Sequence, residues 1–275
     1  MRLSDLAHTS NYTKVSFEDP LATVISSLSR GINVLLVVDS SDKLRGVITI
    51  MRVLNLISTL SVGSRFVSSS ISLFIDERPL SMHHKYPVEA ALQLMVEEGK
   101  SYIVMVDGLK AVGLLTHRCF LKRLLGAKFK LNFDKIVLRN VTTLLAHNSL
   151  AEAYKLMLES GYYEVPVVED ELIGVLRGSD IITEVIGRSM RELRTIKVYG
   201  KCKVIERPAK DINEVLEVAF REGLNLIPVS RDGEGVSFVK LEDLFFHMIK
   251  ELGAFNVAEI IRGHAASKSI IAHGE

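Results

Sequence analysis

The sequence predicts an α+β protein built from four copies of one β-α-β-β-α unit, and three observations carry that prediction. First, one pattern recurs: Gly31-Ile-Asn-Val-Leu-Leu-Val-Val-Asp39, Gly99-Lys-Ser-Tyr-Ile-Val-Met-Val-Asp107, Gly161-Tyr-Tyr-Glu-Val-Pro-Val-Val-Glu169 and Gly223-Leu-Asn-Leu-Ile-Pro-Val-Ser-Arg231. Second, the leading glycines lie 68, 62 and 62 residues apart, a period that has to be settled before any other fold assignment. Third, a stretch of helical apolar spacing precedes each glycine, and a second apolar run and a second helical stretch follow it.

The third copy is the clearest. Residues 135–144 read as a short leading β segment. Asn148-Ser-Leu-Ala-Glu152 then supplies cap residues and an acidic first turn. Leu150, Ala153, Tyr154, Met157 and Leu158 form one apolar helical face, and Gly161 ends that helix in the left-handed conformation expected there. Val165-Pro-Val-Val168 reads as a buried strand, Glu169-Asp-Glu171 as a turn, and Leu172-Ile-Gly-Val-Leu176 as the returning strand. A second helix starts near Asp180. The other copies keep this order, with first helices over 20–29, 87–98 and 212–222. The repeats are placed at 1–60, 71–125, 134–187 and 197–252, with linkers at 61–70, 126–134 and 187–203. Residues 253–275 match no repeat and read equally as a peripheral helix or a loose tail. A unit this small is marginal alone and is expected to pack against a neighbour.

Composition narrows the function. A formal net charge of +1 gives no global field for nucleic acid. No run approaches the ~18 apolar residues of a membrane span, and the first residues do not form a secretory signal. The expectation is a cytoplasmic chain with two reduced thiols, Cys119 and Cys202. Walker, G-x-G-x-x-G and H-x-x-x-H patterns are missing, as is a nucleophile triad with an identifiable context. His83-His84 lacks a further ligand at suitable sequence spacing and reads as a polar loop, so no metal site is assigned.

The combination G-x-x-x-h-P-V-V-D followed by G-h-h-T-x-x-D before the last helix resembles the CBS domain. Copy three carries it from Val141-Thr-Thr through Pro166-Val-Val to Gly174-Val-Leu-Arg-Gly-Ser-Asp180. The resemblance covers about residues 10 to 252. It implies consecutive repeats paired into two Bateman modules, 1–125 and 126–252, forming a disk, as in the γ subunit of AMP-activated protein kinase and its archaeal look-alikes. It also implies a non-catalytic regulatory module that needs no cofactor. Its ligand is then AMP, or ADP or ATP, with S-adenosylmethionine as an alternative. Further partners implied are a regulated protein or a second copy through the module faces, with no nucleic acid and no membrane. A scaffold with vestigial clefts is the competing reading.

A carboxylate can accept from both hydroxyls of a ribose diol, and phosphates need cations. In the resembling motif the carboxylate is the Asp of T-x-x-D. Copies three and four keep it as Asp180 and Asp243, whereas copies one and two have Arg52 and Cys119 there. Arg177 and Lys240 precede the two aspartates by three residues and are assigned to phosphate, with Arg118 as a third cation. By motif position the base slot takes Thr142, Thr143, Leu144, Tyr163, Val165 and Pro166 in copy three. In copy four it takes Val204, Ile205, Asn225, Ile227 and Pro228. Asp180 and Asp243 also suit the ordinary role of capping the helix that follows. The ligand is expected mainly in the second half of the chain.

Overall fold

A computed structural model describes residues 1–7, 12–59, 70–139, 141–231 and 234–272. Most of the expected linker 61–70, and Asn140 at the head of the third copy, lie outside them.

The repeated order holds. Repeat one comprises α1 (Ser4–Ala7), β1 (Lys14–Ser16), α2 (Leu21–Leu28), β2 (Val34–Val38), β3 (Leu44–Thr49) and α3 (Ile50–Thr59). Repeat two has β4 (Ser81–His83), α4 (Val88–Glu97), β5 (Tyr102–Asp107), β6 (Lys110–Thr116) and α5 (His117–Arg123). Repeat three has β7 (Val137–Leu138), β8 (Leu144–Leu145), α6 (Leu150–Ser160), β9 (Glu164–Val168), β10 (Leu172–Arg177), α7 (Gly178–Gly187) and α8 (Met190–Leu193). Repeat four has β11 (Lys203–Val204), α9 (Ile212–Glu222), β12 (Leu226–Arg231), β13 (Glu234–Lys240), α10 (Leu241–Leu252) and α11 (Ala254–Ala272).

Every repeat centres on an antiparallel hairpin whose first strand also takes a short parallel partner from the start of the repeat. The partners are Val15 opposite Val37, Met82 opposite Met105, Leu144 opposite Val167 and, as a single bridge, Ala209 opposite Val229. This register corrects one alignment. Arg207, Pro208 and Ala209, not Val204 and Ile205, occupy in repeat four the positions that Thr142, Thr143 and Leu144 hold in repeat three. Val204 instead pairs antiparallel with Gly174 of the preceding repeat. That pairing explains the motif glycine: a Cβ on Gly174 would meet the Lys203 carbonyl oxygen at 2.2 Å. The helix-ending glycines are needed for conformation instead. Gly161 and Gly223 have φ of 71° and 70°, and a Cβ on Gly161 would meet nothing within 4 Å.

Caps act as the sequence suggests. Ser149 and Glu152 form a capping box at the start of α6, and Asp211 accepts from the Glu214 N–H at the start of α9.

Two compact units result, and they do not coincide with the two halves of the chain. One unit is Thr13–Arg78 with Asn140–Arg207, and the other is Met1–Tyr12, Pro79–Arg139 and Pro208–Glu275. Each draws on alternate repeats because their helices share a core. In the first, Val53, Leu54 and Ile57 of α3 pack with Tyr154 and Met157 of α6 and Ile182 and Val185 of α7. The Tyr154 hydroxyl there donates to the Leu54 carbonyl at 2.6 Å. In the second, Phe120 of α5 stacks on Phe245 of α10 with ring centroids 5.7 Å apart. The segment after Gly253 is helical through Ala272 and docks rather than trailing: Val257, Ala258 and Ile261 are buried, and a His264 ring nitrogen lies 3.0 Å from the Leu125 carbonyl oxygen. Among the described residues no helix is long and apolar enough to cross a membrane.

Candidate functional site

One backbone device recurs at all four hairpins and positions the candidate side chains. The carbonyl three residues before the proline position accepts from an N–H opening the closing helix: Asn33 from Ile50, Ser101 from His117, Tyr163 from Gly178 and Asn225 from Leu241, at 2.6–3.0 Å. The residue three positions on from the helix N-cap therefore lies at a fixed place on the first turn. In repeats three and four that residue is Asp180 and Asp243.

In repeat three the aspartate is engaged. The Arg177 N–H donates to Asp180 Oδ2 at 3.0 Å, its Nε donates to both carboxylate oxygens, and Nη2 donates to Oδ1 at 2.6 Å. The pair is largely shielded, with 26% and 15% of the two side chains exposed. Those hydrogen bonds from Arg177 to Asp180 hold the guanidinium pKa above its usual value. Asp180 is thus both helix cap and ion-pair partner. Thr142 and Thr143 nearby in sequence are exposed, while Leu144, Val165 and Pro166 are buried in the sheet. The Tyr163 hydroxyl accepts from Asn33 Nδ2 at 3.5 Å, so this ring faces repeat one of the same unit.

In repeat four the cation goes elsewhere. Lys240 Nζ lies 2.8 Å from Glu242 Oε2, and Asp243 accepts no hydrogen bond among the described residues. Burial pushes the Asp243 carboxyl above its usual range, offset in part by Lys240 and reinforced by the Glu242 charge. Asp243 is a half-buried carboxylate whose acceptor positions are left to solvent or a ligand.

Glu242, the residue before it, belongs to a polar cluster with His117 that the motifs did not reveal. His117, 6% exposed, sits with its Nδ1 3.4 Å from the Ser101 carbonyl oxygen. Burial lowers its pKa to about 4, against the attraction of Glu242 and with the help of Arg118. Burial raises the Glu242 carboxyl, but the hydrogen bond and charge of Lys240, a hydrogen bond from Ser101 and the attraction of His117 outweigh it, leaving the group below its ordinary range. The only sequence signal was the consecutive pair Glu242-Asp243.

Arg118 does not stand free as a phosphate cation. Its Nη1 donates to the Leu224 carbonyl and to Asn225 Oδ1 at 3.1 Å, and Nη2 donates to the Ala219 carbonyl at 2.9 Å. The guanidinium also lies 5.0 Å from the Phe220 ring centroid. It closes the carboxyl end of α9, where the helix dipole favours a cation. Asn225 is correspondingly buried against Arg118, and Ile227 and Pro228 are buried in β12. Val204 is 63% exposed and Ile205 is at 9%. Of the first-half substitutes, Arg52 Nη2 reaches the Leu73 carbonyl at 3.4 Å, and Cys119 Sγ lies 3.6 Å from Thr116 Oγ1.

A hollow of about 770 Å³ opens beside α6 and α8, lined by residues including Tyr154, Lys155, Arg188 and Arg194. None of the sequence-assigned ligand residues lines it.

The hairpins and their parallel leading strands give the chain a CBS-type fold. The CBS-domain family model matches residues 3–59 and 134–187, so repeats one and three carry CBS-domain sequence. A curated relative, the uncharacterised 33.4 kDa protein in the ribosomal RNA operon of Thermofilum pendens, is 23% identical over 194 residues, which span 66% of this chain and 65% of that one. The match therefore covers less than two thirds of that relative's length. Among solved structures, one from Methanocaldococcus jannaschii, described as a candidate archaeal homologue of the AMP-activated protein kinase γ subunit, superposes with a TM-score of 0.71 at 16% identity, covering 89% of this chain and 99% of that one. An uncharacterised conserved protein from Pyrococcus horikoshii gives 0.56 at 20% identity, covering 89% and 98%.

Proposed function

We propose that this chain is a non-catalytic regulatory module that binds an adenine nucleotide, AMP or its di- or triphosphate, with Asp243 of repeat four as the principal ribose acceptor. The observation that carries this reading is the half-buried Asp243 carboxylate, which has open acceptor positions at the motif position for a diol. Lys240, three residues earlier, supplies positive charge on the same helix start. The fold likeness to the archaeal candidate homologue of a kinase γ subunit agrees with a regulatory role. Ligand binding would act by favouring one packing of the repeats over another, or one state of a partner protein.

Calorimetric titration with AMP, ADP, ATP and S-adenosylmethionine tests the reading. Asp243→Asn is expected to weaken the tightest of these by roughly 10- to 100-fold, the loss of one or two charge-assisted hydrogen bonds. Asp180→Asn is expected to change it less than about threefold, because its carboxylate already serves Arg177. Unaltered affinity in Asp243→Asn refutes the assignment. A second reading, a scaffold with vestigial clefts, is favoured by the closed Arg177–Asp180 pair and by the commitment of Arg118 to α9. Absence of heat and of thermal shift with all four ligands selects it.

A further inference from the structure

We propose that the end of β4 is a site for a borderline divalent transition metal of the zinc class, held by His83, His84 and Asp107. Adjacent residues of a strand point to opposite faces, so a His-His pair inside a strand cannot chelate one ion. Here β4 ends at His83 and the chain turns at His84 and Lys85. The turn brings both rings to one side, stacked with centroids 4.7 Å apart and planes 29° from parallel.

The third donor comes from the neighbouring strand. β4 runs parallel to β5 with His83 opposite Val106, which places Asp107, the last residue of β5, beside both rings. His83 Nε2 is 3.4 Å from Asp107 Oδ1, and His84 Nε2 is 3.9 Å from Oδ2. One donor atom from each of the three residues lies within 4.8 Å of the others. Tetrahedral donors about 2.1 Å from a zinc ion sit roughly 3.4 Å apart, so small side-chain rotations complete the set. Two imidazoles and one carboxylate suit zinc and its neighbours, not calcium or magnesium. The three side chains are 36%, 23% and 64% exposed, which leaves an entry path and room for a water ligand.

The backbone holds the turn rigidly. The His84 N–H donates to the Val106 carbonyl at 3.0 Å, and the His84 carbonyl accepts from the Ser4 N–H at 2.9 Å. The Lys85 N–H donates to His83 Nδ1 at 3.2 Å, which keeps the proton of a neutral His83 ring on Nε2, toward Asp107. Metal at Nε2 shifts that proton to Nδ1 and gives up the Lys85 bond. By register the positions of His83 and His84 are Ser16 and Phe17 in repeat one and Leu145 and Ala146 in repeat three. The site is particular to repeat two and does not depend on the nucleotide reading.

Titration of the intact chain with Co²⁺, followed by visible absorption, and with Zn²⁺ against a chromogenic chelator tests it. The expected result is one ion per chain without a thiolate charge-transfer band, which excludes Cys119 and Cys202 as ligands. His84→Ala and Asp107→Asn are each expected to weaken binding by at least about tenfold, while His147→Ala, an exposed histidine of repeat three, leaves it unchanged. Both ligand variants lie at the surface, and circular dichroism checks that they fold. Less than one ion per wild-type chain, or equal affinity in the folded variants, overturns the proposal.

Discussion

The starts of α7 and α10 each place a cation three residues before an aspartate, yet they are wired differently. Arg177 bends back onto Asp180 and closes the pair. Lys240 takes Glu242 and leaves Asp243 with open acceptor positions. The intervening residues account for the difference. Repeat three has Gly178-Ser179 between cation and aspartate, so nothing competes for the planar fork, which matches a carboxylate bidentately. Repeat four has Leu241-Glu242, and the nearer glutamate captures a point-charge ammonium. Two motif-equivalent aspartates therefore differ in readiness: one is a completed cap, the other an acceptor held ready at the expense of burial.

The largest expected effect lies in the cluster around His117 and Glu242. His117 is neutral when folded, with a pKa of about 4 against the ordinary histidine value of about 6.5. Its folded value lies below its unfolded one, so between pH 6.5 and 4 only the unfolded chain takes up the proton. Stability is accordingly lost as pH falls through that window, by about 3 kcal/mol at most. Urea unfolding at pH 7 and pH 4.5 measures this, and His117→Gln is expected to flatten the slope. A slope unchanged in that variant places the titration elsewhere. The other unit has no counterpart, because Ile50 of repeat one stands where His117 does and Ser179 of repeat three stands where Glu242 does.

A second variant attacks the comparison itself. Arg177→Gln releases Asp180 from its fork, at a cost to the fold of about 1 kcal/mol in capping and pairing. If pairing is what separates the two aspartates, this variant gains a second, weaker nucleotide equivalent in calorimetry. Unchanged stoichiometry means that the shape of the third repeat, not its ion pair, excludes ligand. The smallest effect is expected at Lys240. Lys240→Met is expected to weaken AMP by about two- to fivefold and adenosine hardly at all, since an ammonium already paired with Glu242 adds roughly 1 kcal/mol or less. Equal weakening of both ligands assigns Lys240 to fold support through Glu242.

Local features of the site were readable from the chain and long-range ones were not. Asp180 and Asp243 occupy the first turns the motif assigns them, and Ser149 caps α6 through Glu152, because these relationships span three residues of one helix. Arg118 shows the opposite case. Its partners lie about a hundred residues away, on α9 and just past its end, so a lone cation at a helix start looked available when it was not. Asp107 likewise follows His83-His84 by more than twenty residues and meets them only through the parallel pairing of β4 and β5. The leading segment of repeat four is misplaced by a few residues in the sequence reading because it meets β12 through one bridge at Ala209, too short for periodicity to fix it.

By itself the sequence determined the fourfold β-α-β-β-α order, the helix ends at Gly161 and Gly223, and the divergence of the halves at Arg52 and Cys119 against Asp180 and Asp243. Such features follow from apolar periodicity and backbone dihedral demands acting within a few residues. Only the tertiary structure decided that alternate repeats share a core, that Lys240 turns to Glu242, and that His117 is buried near Glu242. All four repeats present similar apolar helix faces, so which faces meet, and which charges then lie in reach of one another, depends on packing between segments far apart in the chain.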